Sequence, residues 1–588
     1  MRQAKNLVSV VWLAALAAVM LGCGGGPVNS QPPPPTITVG TLVPSYTIAG
    51  GSSFTFFVNG SGFTTSSVVQ WNGSPVPTTF GTNQILTASI SSSLIALPGT
   101  ASITVNDPSV RTTSNAEPFG VASPAAAAAG VIQLITIAPD GSAANADSLV
   151  APSINSDGRY VAFQSAATNL VPGPASGFQD IYLRDTCLGS ALSSCTPSTT
   201  RISTTHDGSP TNGHSRDSAI SSDGRFVAFD SQATNILPGT AVCGNTCVFL
   251  RDTCNGTAAS CVPSTTLVSV AVDGNPAGGA NPSISNDDEF VAFNSNVTNI
   301  VNGDTNGVAD AFVRDTCFGT SAGCNPSNTL VSVSSSGAQG NGTSGLTAID
   351  AVGRFVAFVS WASNMAPNNN PSVEPNMFVR DTCVTAPAPC TPSTTRVDVA
   401  SDGTAANNSL TFNIVPSISS DGRLVAFSTL ASNLVSANVG IWANVYVRDT
   451  CAGVLAGCIP STSLVSLGND GSIGNNGSSD QSMSADARFV AFSSLSSNLV
   501  PGDNEPAGGF KDIFVRDTCF GAASGCVPST VRVSVTDTPN PETQANDISD
   551  YPAISGDGHY VVFLSAATNL VPGGTNGHGM VFLAKTGF

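Results

Sequence analysis

The sequence predicts an all-β chain: a small β-sandwich followed by a ring of seven repeated β units. Three observations predict it. First, one phrase recurs seven times, in the form SISSDGRLVAFSTLASNLV at Ser417–Val435. The copies begin at Ser153, Ala219, Ser283, Ala348, Ser417, Ser482 and Ala553, at spacings of 64 to 71 residues. A near-constant period marks a repeat architecture. Second, charged residues make up only 10% of the 588, while Gly, Ser, Thr, Asn and Pro abound. That composition suits short strands joined by many turns. Third, no stretch beyond the N-terminal segment has long helical apolar spacing.

The net charge is −18, and lysine occurs only at Lys5, Lys511 and Lys585. Nucleic-acid binding draws on clustered Lys and Arg to neutralise phosphates, so no nucleic-acid partner is expected. An anionic membrane surface is disfavoured for the same reason.

The N-terminus carries Arg2 and Lys5, then an apolar run at Leu7–Met20, then Leu21-Gly22-Cys23. A basic start, a short apolar core and small residues at the cut read as an export signal over residues 1–22, not as a spanning helix. The junction resembles a bacterial lipoprotein signal, although Met20 and Leu21 depart from that family's pattern. The resemblance implies lipidation of Cys23 and an outer-membrane or cell-surface protein that touches the membrane through its lipid anchor only. An ordinary cleaved signal, giving a periplasmic or secreted protein, is the alternative. Residues 23–35, rich in Gly and Pro, read as an extended tether.

The cysteines argue for export independently. Apart from Cys23, fourteen remain, all in close pairs: Cys187/Cys195, Cys243/Cys247, Cys254/Cys261, Cys317/Cys324, Cys383/Cys390, Cys451/Cys458 and Cys519/Cys526. An even set at regular local spacing reads as a disulfide framework formed in an oxidising compartment. Metal binding is the rival reading. With only four histidines in the chain, and only Cys243/Cys247 near zinc-ligand spacing, disulfides are expected.

Residues 36–122 alternate in strand fashion between turns, as in SSFTFFVNGSGF from Ser52, SSVVQWNG from Ser66 and TASITVNDPS from Thr100. About seven short strands in this length point to a β-sandwich. The Gly60-Ser61-Gly62-Phe63 turn, Val69-Gln70-Trp71-Asn72-Gly73, and Gly99 with Ile103-Thr104-Val105 resemble an IPT/TIG domain. That resemblance implies an immunoglobulin-like module. Trp71 is either a binding aromatic or, as such residues more often are, packed in the core. Residues 123–130 link the module to the repeats, which occupy 131–588.

Each repeat reads as four strands. In the fifth copy these are Pro416–Ser419, Arg423–Ser428, Asn444–Asp449 and Leu464–Leu467, with Asp421-Gly422 as the first turn. Four strands per unit about a centre make a propeller blade. Arg423–Ser428 is apolar on both faces, as a sheet sandwiched between two others requires. The Asp-Gly-Arg turn, the following Val-Ala-Phe and the Val-Arg-Asp of the third strand resemble WD40-like repeats of the TolB type. That resemblance speaks to fold and not to function.

The seventh unit lacks a fourth strand, whereas Ile132–Ile137 with Asp140-Gly141 matches the fourth strand of the other repeats. Placing it on the last unit leaves no open edge. The expected architecture is therefore an Ig-like β-sandwich followed by a seven-bladed β-propeller closed by an N-terminal strand. Six cysteine pairs then lie in third-to-fourth-strand hairpins.

No catalytic residue is assigned. Gly319-Thr320-Ser321-Ala322-Gly323 matches G-x-S-x-G but sits inside a cysteine loop, where a nucleophile elbow needs a strand before it and a helix after it. No acidic pair stands out. The segment holding Asp304, Asn306 and Asp310 resembles part of a calcium loop, and Asp-Asn-Gly is equally ordinary turn chemistry. No other cofactor is expected. The longer, more varied loops join second to third strands and link successive repeats, so a ligand is expected on that face. The expectation is a binding or scaffold protein for a protein or glycan partner. The alternative is a propeller enzyme acting on polysaccharide or peptide.

Overall fold

The computed structural model describes residues 36–588 except 44–45, 49–52, 97–98, 123–131, 190–194, 239–245, 258–259, 319–323, 367–374, 412–414, 455–456, 502, 504–508, 523, 537–543, 572–574 and 576. Cys23, the tether, the linker, Cys243 and the Gly319–Gly323 motif lie outside the described residues.

The described chain is almost wholly β. One short 3-10 turn, Ser92–Ile95, is its one helical element, and no helix is long and apolar enough to cross a membrane. The first ten strands form two sheets, whose apolar faces share one core containing Phe56, Val58, Trp71, Ile103 and Phe119. Trp71 is 3% exposed and packs 5.1 Å from the Phe119 ring.

The rest forms seven four-stranded antiparallel sheets in propeller-like repeat. Sheets one to six each take four consecutive strands. In sheet five these are Ser417–Ile418, Leu424–Thr429, Asn444–Asp449 and Ser461–Leu464, from inner to outer. Sheet seven joins the two ends of the repeat region. Its inner strands are Ser549–Ile554, Tyr560–Ser565 and Met580–Lys585, and Gln133–Leu134 pairs as its outer strand, Gln133 opposite Leu583.

Sequence reading misplaces the outer strand. It lies at Ser461–Leu464, not Leu464–Leu467. An edge strand has few neighbours and can be Ser/Thr-rich. The apolar Val465 beyond it turns inward and is buried between sheets five and six. The N-terminal strand is shortened in the same way, from Ile132–Ile137 to Gln133–Leu134.

The second strand of each sheet explains the recurring Val-Ala-Phe. Its side chains alternate between the two neighbouring sheets. Leu424 and Ala426 enter the core shared with sheet six, while Val425 and Phe427 enter the core shared with sheet four. The Asp-Gly turn is set by the same closeness. Gly422 has φ 73°, and a Cβ there would lie 2.1 Å from the Phe355 ring of the preceding sheet, so only glycine fits without a shift.

Successive sheets are also tied near the axis by backbone bonds between their first turns. Ala351 N–H donates to Ser420 O (3.1 Å), Ser420 to Ala485 (2.9 Å) and Ala485 to Gly556 (2.9 Å). Asp557 N–H donates to Ser156 O (2.9 Å), which returns the circuit from sheet seven to sheet one.

The Asp-Gly-Arg arginine is structural. In five sheets it clamps the last aspartate of the third strand through two nitrogens, as Arg423 does with Asp449 at 2.8 and 2.6 Å. Beside each clamp lies a disulfide: Cys187–Cys195, Cys254–Cys261, Cys383–Cys390, Cys451–Cys458 or Cys519–Cys526. Sheet three has the disulfide Cys317–Cys324, but Glu289 stands in place of the clamping arginine. Cys247 is also disulfide-bonded.

Candidate functional site

The seven inner strands enclose a channel of about 410 Å³. Its wall repeats one short pattern: Pro152-Ser153, Pro282-Ser283, Pro416-Ser417 and Pro552-Ala553, with Ser218-Ala219, Thr347-Ala348 and Gln481-Ser482 between them. These strands run from the face of the longer loops toward the Asp-Gly turns, so the residue just before each pair rims the long-loop mouth.

The rim is strained. Asp217, Asn281, Leu346, Asp480 and Tyr551 occupy equivalent positions and hold φ between 47° and 56°. The inner strand changes register at each, for example between Arg216 and Ala219. A bulge that forces a non-glycine residue to positive φ re-aims its side chain, and such strain concentrates at functional sites. Sheets one and five have two-residue inner strands without a register shift.

Two acidic groups sit at this rim, on nearly opposite sides of the ring. In the first, Asp217 of sheet two lies beside buried Asp230 of the same sheet. Asn281 of sheet three bridges them: its N–H donates to Asp230 (3.3 Å) and its Nδ2 to Asp217 (3.5 Å). Burial, reinforced by the Asp217 charge, pushes the Asp230 carboxyl up to about 8. Burial raises Asp217 as well. The two thus hold a proton between them near neutral pH.

In the second group, Lys511 binds Asp480 of sheet six at 3.1 Å and Asp550 of sheet seven at 2.9 Å. Ser493 Oγ donates to Asp480 at 2.7 Å. Burial opposes ionisation of Asp480, but Lys511 and the hydrogen bonds outweigh it and hold this carboxyl below its usual range. Asp550 is raised, by burial and then by Asp480. Next to it, burial and Asp550 raise the Tyr551 phenol. Each acidic group carries its own neutraliser, a shared proton in one and an ammonium in the other.

Sequence reading assigns none of these residues to a site. A signal existed. Asp230 stands where the sister repeats have Gln164, Asn294, Val359, Ser428, Ser493 and Leu564, and Lys511 is one of three lysines. The Asn281 bridge and the Lys511 pairs span separate sheets and are not visible in any one repeat.

The candidate calcium residues do come together. Asn306 Nδ2 donates to Asp310 (2.7 Å), and Gln339 Nε2 donates to Asp304 (2.7 Å) and Asp310 (3.0 Å). Burial raises the Asp310 carboxyl. Amide N–H groups thus occupy oxygens that an ion would need. In sheet six, the matching Asp503 and Asp512 receive Gln544 and also face Arg532. The Asp–Cys–Cys groups, such as Asp449 with Cys451 and Cys458, have their sulfurs committed to disulfides.

No protein-family model matches the chain, and no curated protein matches it. Among solved structures, a putative TolB from Agrobacterium tumefaciens is similar at 14% identity and TM-score 0.29, over 54% of this chain and 80% of that one. An auxiliary nutrient binding protein from Bacteroides ovatus is similar at 10% identity and TM-score 0.29, over 94% and 98%. A puromycin-hydrolyzing peptidase from Mycobacterium tuberculosis is similar at 12% identity and TM-score 0.37, over 78% and 54%. At these identities and TM-scores, none of the likenesses bears on function.

Proposed function

We propose that the chain is an exported, lipid-anchored binding protein. In this reading a seven-bladed β-propeller, carried on an IPT/TIG-type Ig-like sandwich and the tether 23–35, engages a protein or glycan partner on its long-loop face. The observation that carries it is the strained rim, where five equivalent non-glycine residues are held at positive φ around one channel mouth. Six disulfides support an oxidising compartment. The rim acids are tied to each other or to Lys511, which suits fixed recognition geometry better than proton transfer to a substrate.

One observation favours an enzyme acting on polysaccharide or peptide: the Asp230 carboxyl, raised to about 8, could serve as an acid. Glycan and peptide arrays probed with the purified chain decide between the two. Binding without turnover, weakened by Asp480→Asn and Lys511→Met but not by Val527→Ser on the disulfide face, is the expected result. Turnover abolished by Asp217→Asn or Asp230→Asn would establish the enzyme instead. Calcium at Asp304, Asn306 and Asp310 is a separate proposal, which a calcium-dependent rise in melting temperature, lost in Asp304→Asn, would support.

A further inference from the structure

The chain has four tryptophans. Trp12 belongs to the N-terminal segment, and Trp71 is buried in the sandwich. The two in the repeats, Trp361 and Trp442, are 41% and 47% exposed. Tryptophan is usually well covered, so two exposed indoles in one domain call for an explanation. They also share a place. Trp361 follows the second strand of sheet four, and Trp442 precedes the third strand of sheet five. Both therefore stand on the long-loop face, on adjacent sheets.

They are not alone there. Leu430 occupies the position in sheet five that Trp361 holds in sheet four, and it too is exposed, as are Ile441 and Val415. The remaining sheets place Ala, Gln, Asn, Leu or Ala at the Trp361 position. The described stretches around the indoles are also uncharged, although Glu374 follows later in the loop that begins at Trp361. Residues 338–346, 361–366, 404–411 and 430–443 contain no Asp, Glu, Lys, Arg or His. The neighbouring rim holds Asp217, Asp480, Asp550 and Lys511, so the neutrality belongs to these stretches of sheets four and five.

The platform is rigid. Trp361 N–H donates to Thr343 O at 2.8 Å, and Leu430 N–H to Ser409 O at 3.2 Å. Trp442 O accepts from Asn444 Nδ2 at 3.0 Å. Asn341 bonds Ser363 and Asn407 bonds Ser432, each through backbone and side chain, at 2.8 to 2.9 Å. Indoles carried on a backbone pinned in this way lose little freedom when a ligand lands on them.

We propose that this sector binds a neutral polysaccharide, with sugar rings laid across Trp361 and Trp442. A pyranose offers flat C–H faces that match an indole face, and hydroxyls that match the surrounding Asn, Ser and Thr. An uncharged chain asks for no ion pair, and the described stretches beside the indoles offer none. A protein partner would bring a polar rim with charged groups, for which the described stretches around the two indoles provide no complement. This inference rests on the binding reading above and adds to it one ligand class and one further sector of the same long-loop face, beside the acidic rim.

The test is affinity electrophoresis and tryptophan emission on the full chain. The probes are hydroxyethylcellulose, galactomannan and dextran (neutral), alginate (acidic) and chitosan (basic), with a peptide array in parallel. Retardation by at least one neutral polymer is expected, with a blue shift in emission, since the exposed indoles dominate the response. Trp361→Ala and Trp442→Ala should each weaken it at least tenfold, and the double variant should abolish it. The Trp361→Phe/Trp442→Phe variant should keep most of the binding and the wild-type melting temperature, which separates loss of a ring face from misfolding. Neutral-polymer binding that survives in the double alanine variant overturns the proposal. So does retardation by alginate or chitosan alone, or a response only to peptides; these outcomes leave the long-loop binding reading standing. Binding lost only on mutating the disulfide face overturns both.

Discussion

Replacing Glu289 with arginine should stabilise the protein. In sheets one, two, four, five and six, the position of Glu289 is an arginine clamped to the aspartate that ends the third strand. Those arginine side chains are 22–32% exposed and their closest contacts are 2.6–2.8 Å. Sheet three instead sets Glu289 near Asp287 and Asp315, and burial followed by those two charges pushes the Glu289 carboxyl up to about 8. Glu289→Arg removes the repulsion and supplies the missing clamp. A clamp of this partial exposure contributes about 1 kcal/mol after screening by solvent. Relief of the half-buried carboxylate adds roughly another 1 kcal/mol at pH 8. Melting entropy scales with chain length, so for the repeat region a total of about 2 kcal/mol corresponds to a shift of about 2 °C.

The pH dependence has a definite sign. Glu289 holds its proton more tightly when folded than at its ordinary 4.5. The folded state therefore binds more protons across the window from about 4.5 to about 8, and this group's contribution declines as pH rises through it. Calorimetry and urea titration at pH 5 and pH 8.5 on wild type, Glu289→Gln and Glu289→Arg measure both effects. The gain of either variant over wild type should be larger at pH 8.5. The arginine variant should exceed the glutamine variant, and Asp315→Asn should cancel that excess. An arginine variant no more stable than the glutamine variant would refute the clamp argument.

Ile135→Ala, in the buried residue just after the N-terminal closing strand, should cost about 3 kcal/mol and lower the cooperative urea transition of the whole ring without adding an earlier one. Cys451→Ala/Cys458→Ala should cost about 2 kcal/mol by freeing one short loop, and non-reducing peptide mapping should still find the other local pairs, including Cys243 with Cys247. For Asp230→Asn, the stability difference from wild type should move in the variant's favour between pH 5 and pH 9, because the native carboxyl is raised to about 8; a pH-independent difference would count against the shared proton. Cys23→Ser should abolish labelling by a radioactive fatty acid and release the protein from the membrane fraction.

The features that repeat locally can be read directly from the chain. A Val-Ala-Phe with apolar residues on both faces means a strand with sheets on either side, and Asp-Gly means a turn needing positive φ. Cysteines seven or eight residues apart can close a hairpin wherever it lies. Even ring closure was legible, because a missing fourth strand at one end and an unmatched one at the other leave two bare edges that only each other can cover. The edge strands were less legible: Ser461–Leu464 lies on the outside, where backbone pairing and not apolar burial defines the strand. The site, by contrast, exists only once the sheets pack together. Lys511 meets Asp480 and Asp550 across two sheets, and Asn281 reaches from sheet three to Asp217 and Asp230 in sheet two. Trp361 and Trp442 come to the same face only because sheets four and five stand side by side with their long loops at the same end. Strands, turns and hairpins are set by contacts within a few residues, which a linear pattern records. Groups that converge on the axis or on one face come from segments tens of residues apart, and their proximity follows from how the sheets close into a ring.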